Sequence, residues 1–274
     1  MKKLLLLFVF AFGLIATFSY TANARYYSGP VEPLQTAVRL IPLFGSSASC
    51  HAKSKTRDVR WNIKIGGDQY KKKFSADARV KNILNINLRA EIDSEGKLAE
   101  YTGTIMDKPL VKGSQESAFA LASISDVNPR AYLGKTFKQN SKFFTGAGER
   151  AINLAKAVGF IFSKEFPISD LQTSSWEDTN RVKGITVIDN EKYLLVEGGF
   201  SISLASADSP VGQVSIDSQS EGFYLVHLRT GFIKEYVADI SVSVIFPGGS
   251  TEGSDVESWK CEIKQPSEKI FVNK

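Results

Sequence analysis

Apolar and polar residues alternate with period two over much of the chain, and this pattern predicts strands. In "DVRWNIKI" the residues Val59, Trp61, Ile63 and Ile65 hold alternate positions, and the turn-forming "GGD" at 66–68 follows. "KNILNINLRAEI" (81–92) and "KLAEYTGTI" (97–105) flank "DSEG", whose Asp93 and Gly96 suit a tight connection, so a hairpin is expected there. The same texture returns in "GITVIDNEKYLLVEGGFSISLAS" (184–206), in 212–246, and in "SDVESWKCEIK" (254–264). Long alternating runs joined by short polar turns indicate an antiparallel arrangement.

Two stretches depart from period two. Leu34, Ala37, Val38 and Ile41 recur at helical spacing between Pro33 and Pro42, predicting a short helix over 32–40. Ala151, Leu154, Ala155, Val158 and Phe162 form one stripe of an amphipathic helix over 147–162. The segment "SAFALASISD" (117–126) fits strand and helix equally poorly. The expected fold class is therefore mainly β (α+β): an antiparallel meander, sandwich or open half-barrel with one or two packing helices.

A local repeat raises the possibility of duplication. "EGKLAEYTGT" (95–104) and "TGFIKEYVAD" (230–239) share Gly-x-apolar-x-Glu-Tyr, and a helical stripe precedes each half. The chain divides on this reading into 1–24, a first helix-plus-meander half over 25–140 and a second over 141–274, or the halves form one continuous domain. Period two puts Leu98 with Glu100 and Ile233 with Glu235 on shared faces, with Tyr101 and Tyr236 opposite.

The N-terminus sets the compartment. Lys2 and Lys3 precede an apolar run from Leu4 to about Phe18, and Ala22-x-Ala24 supplies the small residues that signal peptidase requires. Cleavage after Ala24 is expected, leaving an exported product, periplasmic or extracellular, soluble or peripheral. In an oxidising compartment Cys50 and Cys261 are expected to form a disulfide; two free buried thiols are the alternative.

Charge adds one asymmetry. Between His51 and Lys81 lie Lys53, Lys55, Arg57, Arg60, Lys64, Lys71, Lys72, Lys73, Arg79 and Lys81 against Asp58, Asp68 and Asp77. The whole chain carries only +5, so the remainder is net acidic. "YKKKF", with Lys71, Lys72 and Lys73 between aromatics, suits an anionic headgroup, an anionic glycan, or the protected edge of a sheet. Export removes nucleic acid as the usual partner, and no nucleic-acid motif accompanies the charge.

Catalytic chemistry finds little support. The chain has two histidines, His51 and His227, and neither has a carboxylate at ligand spacing, so no metal site and no catalytic residue is assigned. "FTGAGERA" (144–151) matches a glycine-rich dinucleotide loop only superficially, because the residues before it are too polar for a buried parallel strand; no cofactor is expected. "SEGK" (94–97) has Ser-x-x-Lys spacing in a hairpin turn, where that chemistry does not occur. Glu100 and Glu235 would form an acid pair only if the halves faced one another.

The expected function is that of a non-catalytic cell-envelope protein binding an amphiphilic or anionic ligand. Lys71, Lys72 and Lys73 would contact the anion, and Phe160 and Phe162 on the second helix would contact the apolar part. The partner would be a lipid or other amphiphile, an anionic membrane surface, or another envelope protein. An envelope protein-protein assembly module and a secreted hydrolase are the alternatives.

Overall fold

The computed structural model describes residues 26–41, 46–65, 68–75, 84–92, 98–105, 108–109, 132–143, 172–206, 213–246 and 248–265. The predicted helix at 147–162, with Phe160 and Phe162, the segment 117–126, and the "FTGAGERA" and "SEGK" motifs lie outside them. Among the described residues all regular structure is strand. In order these are β1 (Val38–Arg39), β2 (Ser47–Ile65), β3 (Asp68–Ser75), β4 (Leu84–Ile92), β5 (Leu98–Ile105), β6 (Lys108–Pro109) and β7 (Thr136–Phe137). There follow β8 (Gln172–Asp178), β9 (Arg181–Ile188), β10 (Glu191–Ser206), β11 (Val214–His227), β12 (Ile233–Phe246) and β13 (Gly249–Lys264).

One antiparallel sheet runs β6-β5-β4-β2-β13-β12-β11-β10-β8, with β3 added to the far half of β2 and β9 to the near half of β10. Among the described residues its two ends do not pair, so the sheet is open. The β9–β10 hairpin turns through Asp189 and Asn190, both at positive φ (51° and 63°), the conformation that a two-residue turn of matching twist demands. At mid-strand, Gly222 packs so closely on β12 that a Cβ would stand 2.6 Å from Ala238 Cα, which fixes glycine there.

The expected helix at 32–40 is not formed. Val38 and Arg39 pair with Phe137 and Thr136, and Glu32 exchanges two backbone hydrogen bonds with Ile185 on β9, each 2.8 Å. A helix of this length is too short to hold itself together, so available strand partners override its apolar spacing. The segment is instead a strap around the β9 edge. Tyr27 packs edge-to-face on Phe223 (5.6 Å) on one face of the sheet, whereas Leu34 and Leu40 join the cluster on the other.

Residues 132–143 complete that cover. Asn140 N–H donates to Val182 O (2.8 Å), Val182 N–H donates to Ser141 O (3.0 Å), and Phe143 N–H donates to Asn180 O (3.1 Å), so this stretch zips along the outer side of β9. Beneath it Leu40, Tyr132, Phe137 and Phe143 pack with Leu194, Val196, Tyr224, Val226 and Tyr236 in the principal core. Tyr224 and Tyr236, paired across β11 and β12, stack at 4.6 Å.

The two repeated hairpins share a backbone irregularity. Ile92 pairs with Leu98 but Glu91 with Glu100, leaving Ala99 bulged; Val226 pairs with Ile233 but Leu225 with Glu235, leaving Lys234 bulged. A bulge reverses the alternation beyond it. Ile233 and Tyr236 therefore lie in the same buried cluster, correcting the expectation that Ile233 shares its face with Glu235. Glu235 instead meets Lys260 at 3.0 Å. In the sheet β5 and β12 stand four strand spacings apart, about 19 Å along the sheet, so Glu100 and Glu235 are not on neighbouring strands.

Candidate functional site

Of the candidates from the sequence, the cysteines and the basic triplet lie among the described residues, and Phe160 and Phe162 lie outside them. Cys50 and Cys261 face each other in register where β2 meets β13, and they form a disulfide. Both are 2% exposed. Lys71, Lys72 and Lys73 lie on β3 opposite Asn62, Trp61 and Arg60. Arg60, from the same basic stretch, approaches Glu252 of β13 at 4.0 Å.

The densest polar chemistry lies elsewhere, around His227 at the end of β11. Its ring is 2% exposed. Nδ1 is 2.8 Å from Thr230 Oγ1 in the following turn, and Nε2 is 3.2 Å from Glu191 Oε2 at the start of β10. Gln265, just beyond β13, donates to the other oxygen of Glu191 (3.1 Å), and Phe232 N–H donates to Thr230 Oγ1 (3.3 Å). The Tyr193 ring lies 5.2 Å from the imidazole. Burial lowers the His227 pKa below its ordinary 6.5; Glu191 opposes this, and Arg229 and Lys234 reinforce it. Burial also raises the phenol pKa of Tyr193, with Glu191 and Asp189 adding to the effect.

Hydroxyl, imidazole and carboxylate in hydrogen-bonded sequence have the connectivity of a nucleophile, a base and an orienting acid. The geometry rules against that use. Thr230 is fully buried and accepts a backbone hydrogen bond, so no substrate carbonyl reaches its oxygen. The arrangement instead ties three strand ends and a turn together. No carboxylate near His227 was found in the sequence because Glu191 is 36 residues away. The connection is made by register, with Tyr193 opposite His227 on paired strands. Among the described residues no cluster of His, Cys, Asp or Glu is suited to hold a metal ion.

The sheet itself offers the more extended surface. Along β10 the side toward the cover carries Leu194, Val196, Phe200, Ile202 and Leu204, while Ser201 and Ser203 lie opposite. The polar side continues across the sheet through the register pairs Ser201 with Gln219, and Ser203 with Asp217, then Ser241 and Ser243 on β12. Phe200, Ile202 and Leu204 form a separate buried cluster with Ile216, extending the apolar side by about 14 Å along the strand. No protein-family model matches the chain, and no curated protein matches it.

Proposed function

We propose that the chain is an exported, non-catalytic cell-envelope protein that binds an amphiphilic ligand against the apolar side of its open sheet. The observation that carries this reading is the second half of β10, where Phe200, Ile202 and Leu204 cluster with Ile216 on one side while Ser201 and Ser203 lie on the other, on a sheet that is open among the described residues. A signal-like N-terminus and a disulfide support export. Among the described residues no helix is long and apolar enough to cross a membrane.

The test is native mass spectrometry of chain purified from an exporting host, followed by denaturation and extraction. A stoichiometric lipid or other amphiphile, lost in Ile202→Glu while the strand circular-dichroism signal is kept, is the expected result. A clean apo mass from gentle preparations, with no mass shift on adding mixed phospholipid, would reject the ligand.

Anion contact is assigned to the β3 lysines. Each cation near an anionic surface contributes about 1 kcal/mol, so Lys71→Gln with Lys73→Gln should weaken binding to vesicles rich in anionic lipid by about 2 kcal/mol at low salt. Unchanged binding by the double variant, or binding indifferent to salt, would remove β3 as the contact.

A second reading, an envelope assembly module, is favoured by β8. Among the described residues this strand has one partner, β10, and Trp176 on it is 39% exposed. Co-purification of a second protein that Trp176→Ser releases would establish it.

A further inference from the structure

The His227 network has a direction. Neutral imidazole carries one ring proton, and the Glu191 carboxylate accepts hydrogen bonds, so Nε2 donates to Glu191 and Nδ1 accepts from the Thr230 hydroxyl. Thr230 Oγ1 in turn accepts from Phe232 N–H. The turn so closed abuts the cover: Gly231, at φ 72°, lies against the Leu133 side chain, which a Cβ at that position would strike.

Adding a proton at Nδ1 reverses one link. The ring then donates from both nitrogens, Thr230 Oγ1 must accept from Nδ1 as well as from Phe232, and the threonine's own proton loses its acceptor. Thr230 is 0% exposed, so solvent does not replace that partner. A donor stranded in a buried site is unfavourable, and opening the turn relieves it.

We propose that His227 is an acid-operated latch, whose protonation frees the β11–β12 turn from the cover at Leu133. The surrounding groups set its balance. Glu191, held by Gln265 from beyond β13, favours the imidazolium; Arg229 from the turn and Lys234 from β12 disfavour it, as does the buried setting beside Tyr193, whose own neighbours include Asp189. The ring's pKa in the folded chain lies below 6.5, so the folded state releases its proton more readily than the open one. The latch is accordingly intact above 6.5 and weakens as pH falls from there toward the folded value. Within that window each pH unit raises the opening constant by up to about tenfold, one proton being taken up on opening.

Hydrogen exchange reads this directly. The amides of His227, Leu228 and Gly231 are bonded to Phe232 O, Lys192 O and His227 O. Corrected for intrinsic rates, their protection should fall by up to about tenfold per pH unit between about pH 6.5 and the folded value, and His227→Gln should abolish that dependence. Protection that ignores pH, or an unchanged response in His227→Gln, would overturn the latch. Should the variant not fold, imidazole resonances of the unaltered chain decide, since His51 is the only other histidine. A His227 titration at or above 6.5 would overturn the proposal, and one below it would support it. None of these readings depends on the proposed ligand.

Discussion

Removing the disulfide, by Cys50→Ala with Cys261→Ala, is expected to lower the unfolding free energy by about 5 kcal/mol, the chain-entropy value for so long a closed loop. The two residues are 211 apart in sequence. That is a large share of the roughly 5–15 kcal/mol by which domains are stable. The location adds to the expectation, because the bond sits in the ladder where Cys261, Glu262, Ile263 and Lys264 pair with Cys50, Ser49, Ala48 and Ser47. This ladder joins the strands of residues 47–109 to those of residues 172–264. Urea unfolding of the oxidised chain and of the double alanine variant gives the difference. The midpoint should fall and the slope should rise, since a denatured chain without the cross-link exposes more surface. The matching pair of serine variants separates the loop effect from burial of new hydroxyls, as both positions are buried. Coincident curves for oxidised and alanine chains would show that the β2–β13 ladder holds without its bond.

Much of the sheet was legible in the sequence, because period-two alternation is local. "DVRWNIKI" and "YKKKF" became paired strands, and the hairpin around "DSEG" formed in register. The disulfide was legible too, since two cysteines permit only one intramolecular bond and the signal-like N-terminus led to the expectation of an oxidising compartment. What escaped depends on distant pairing. The apolar spacing of Leu34, Ala37 and Val38 is helical, yet Thr136–Phe137 and Ile185 supply strand partners that no local pattern announces. The face assignment of Ile233 and Glu235 failed on a single bulged residue, Lys234. The network at His227 was hidden for the same reason. Its members Glu191, Thr230 and Gln265 are ordinary polar residues until the β10–β11 register and the end of β13 bring them together. Tyr132, Phe137 and Phe143 follow neither the strand nor the helix period, so their role as the cover had no signature in spacing.

Phe143→Ala is expected to destabilise the fold by about 3–5 kcal/mol, the range for emptying a buried aromatic site. The ring is 1% exposed and stands 4.9 Å from both Tyr132 and Phe137, so truncation removes the centre of an aromatic triplet as well as apolar area. Little relaxation can refill the space. Phe143 N–H is held to Asn180 O, and Lys142 bridges to Arg181, which fixes the backbone at and just before the gap. Tyr26→Ala is the control, since Tyr26 is 65% exposed and surface changes of this kind stay within about 0.5 kcal/mol. Exchange at two sets of amides shows how far the damage travels. Leu40 N–H and Gly134 N–H join the strap to the cover, bonding Lys135 O and Leu40 O, while His227 N–H reports on the β11–β12 hairpin. Cover and sheet share one continuous apolar cluster, so protection at both sets should fall together. Loss confined to Leu40 and Gly134 would instead make the cover a separate unit of stability, able to lift from the apolar side while the sheet beneath stays folded.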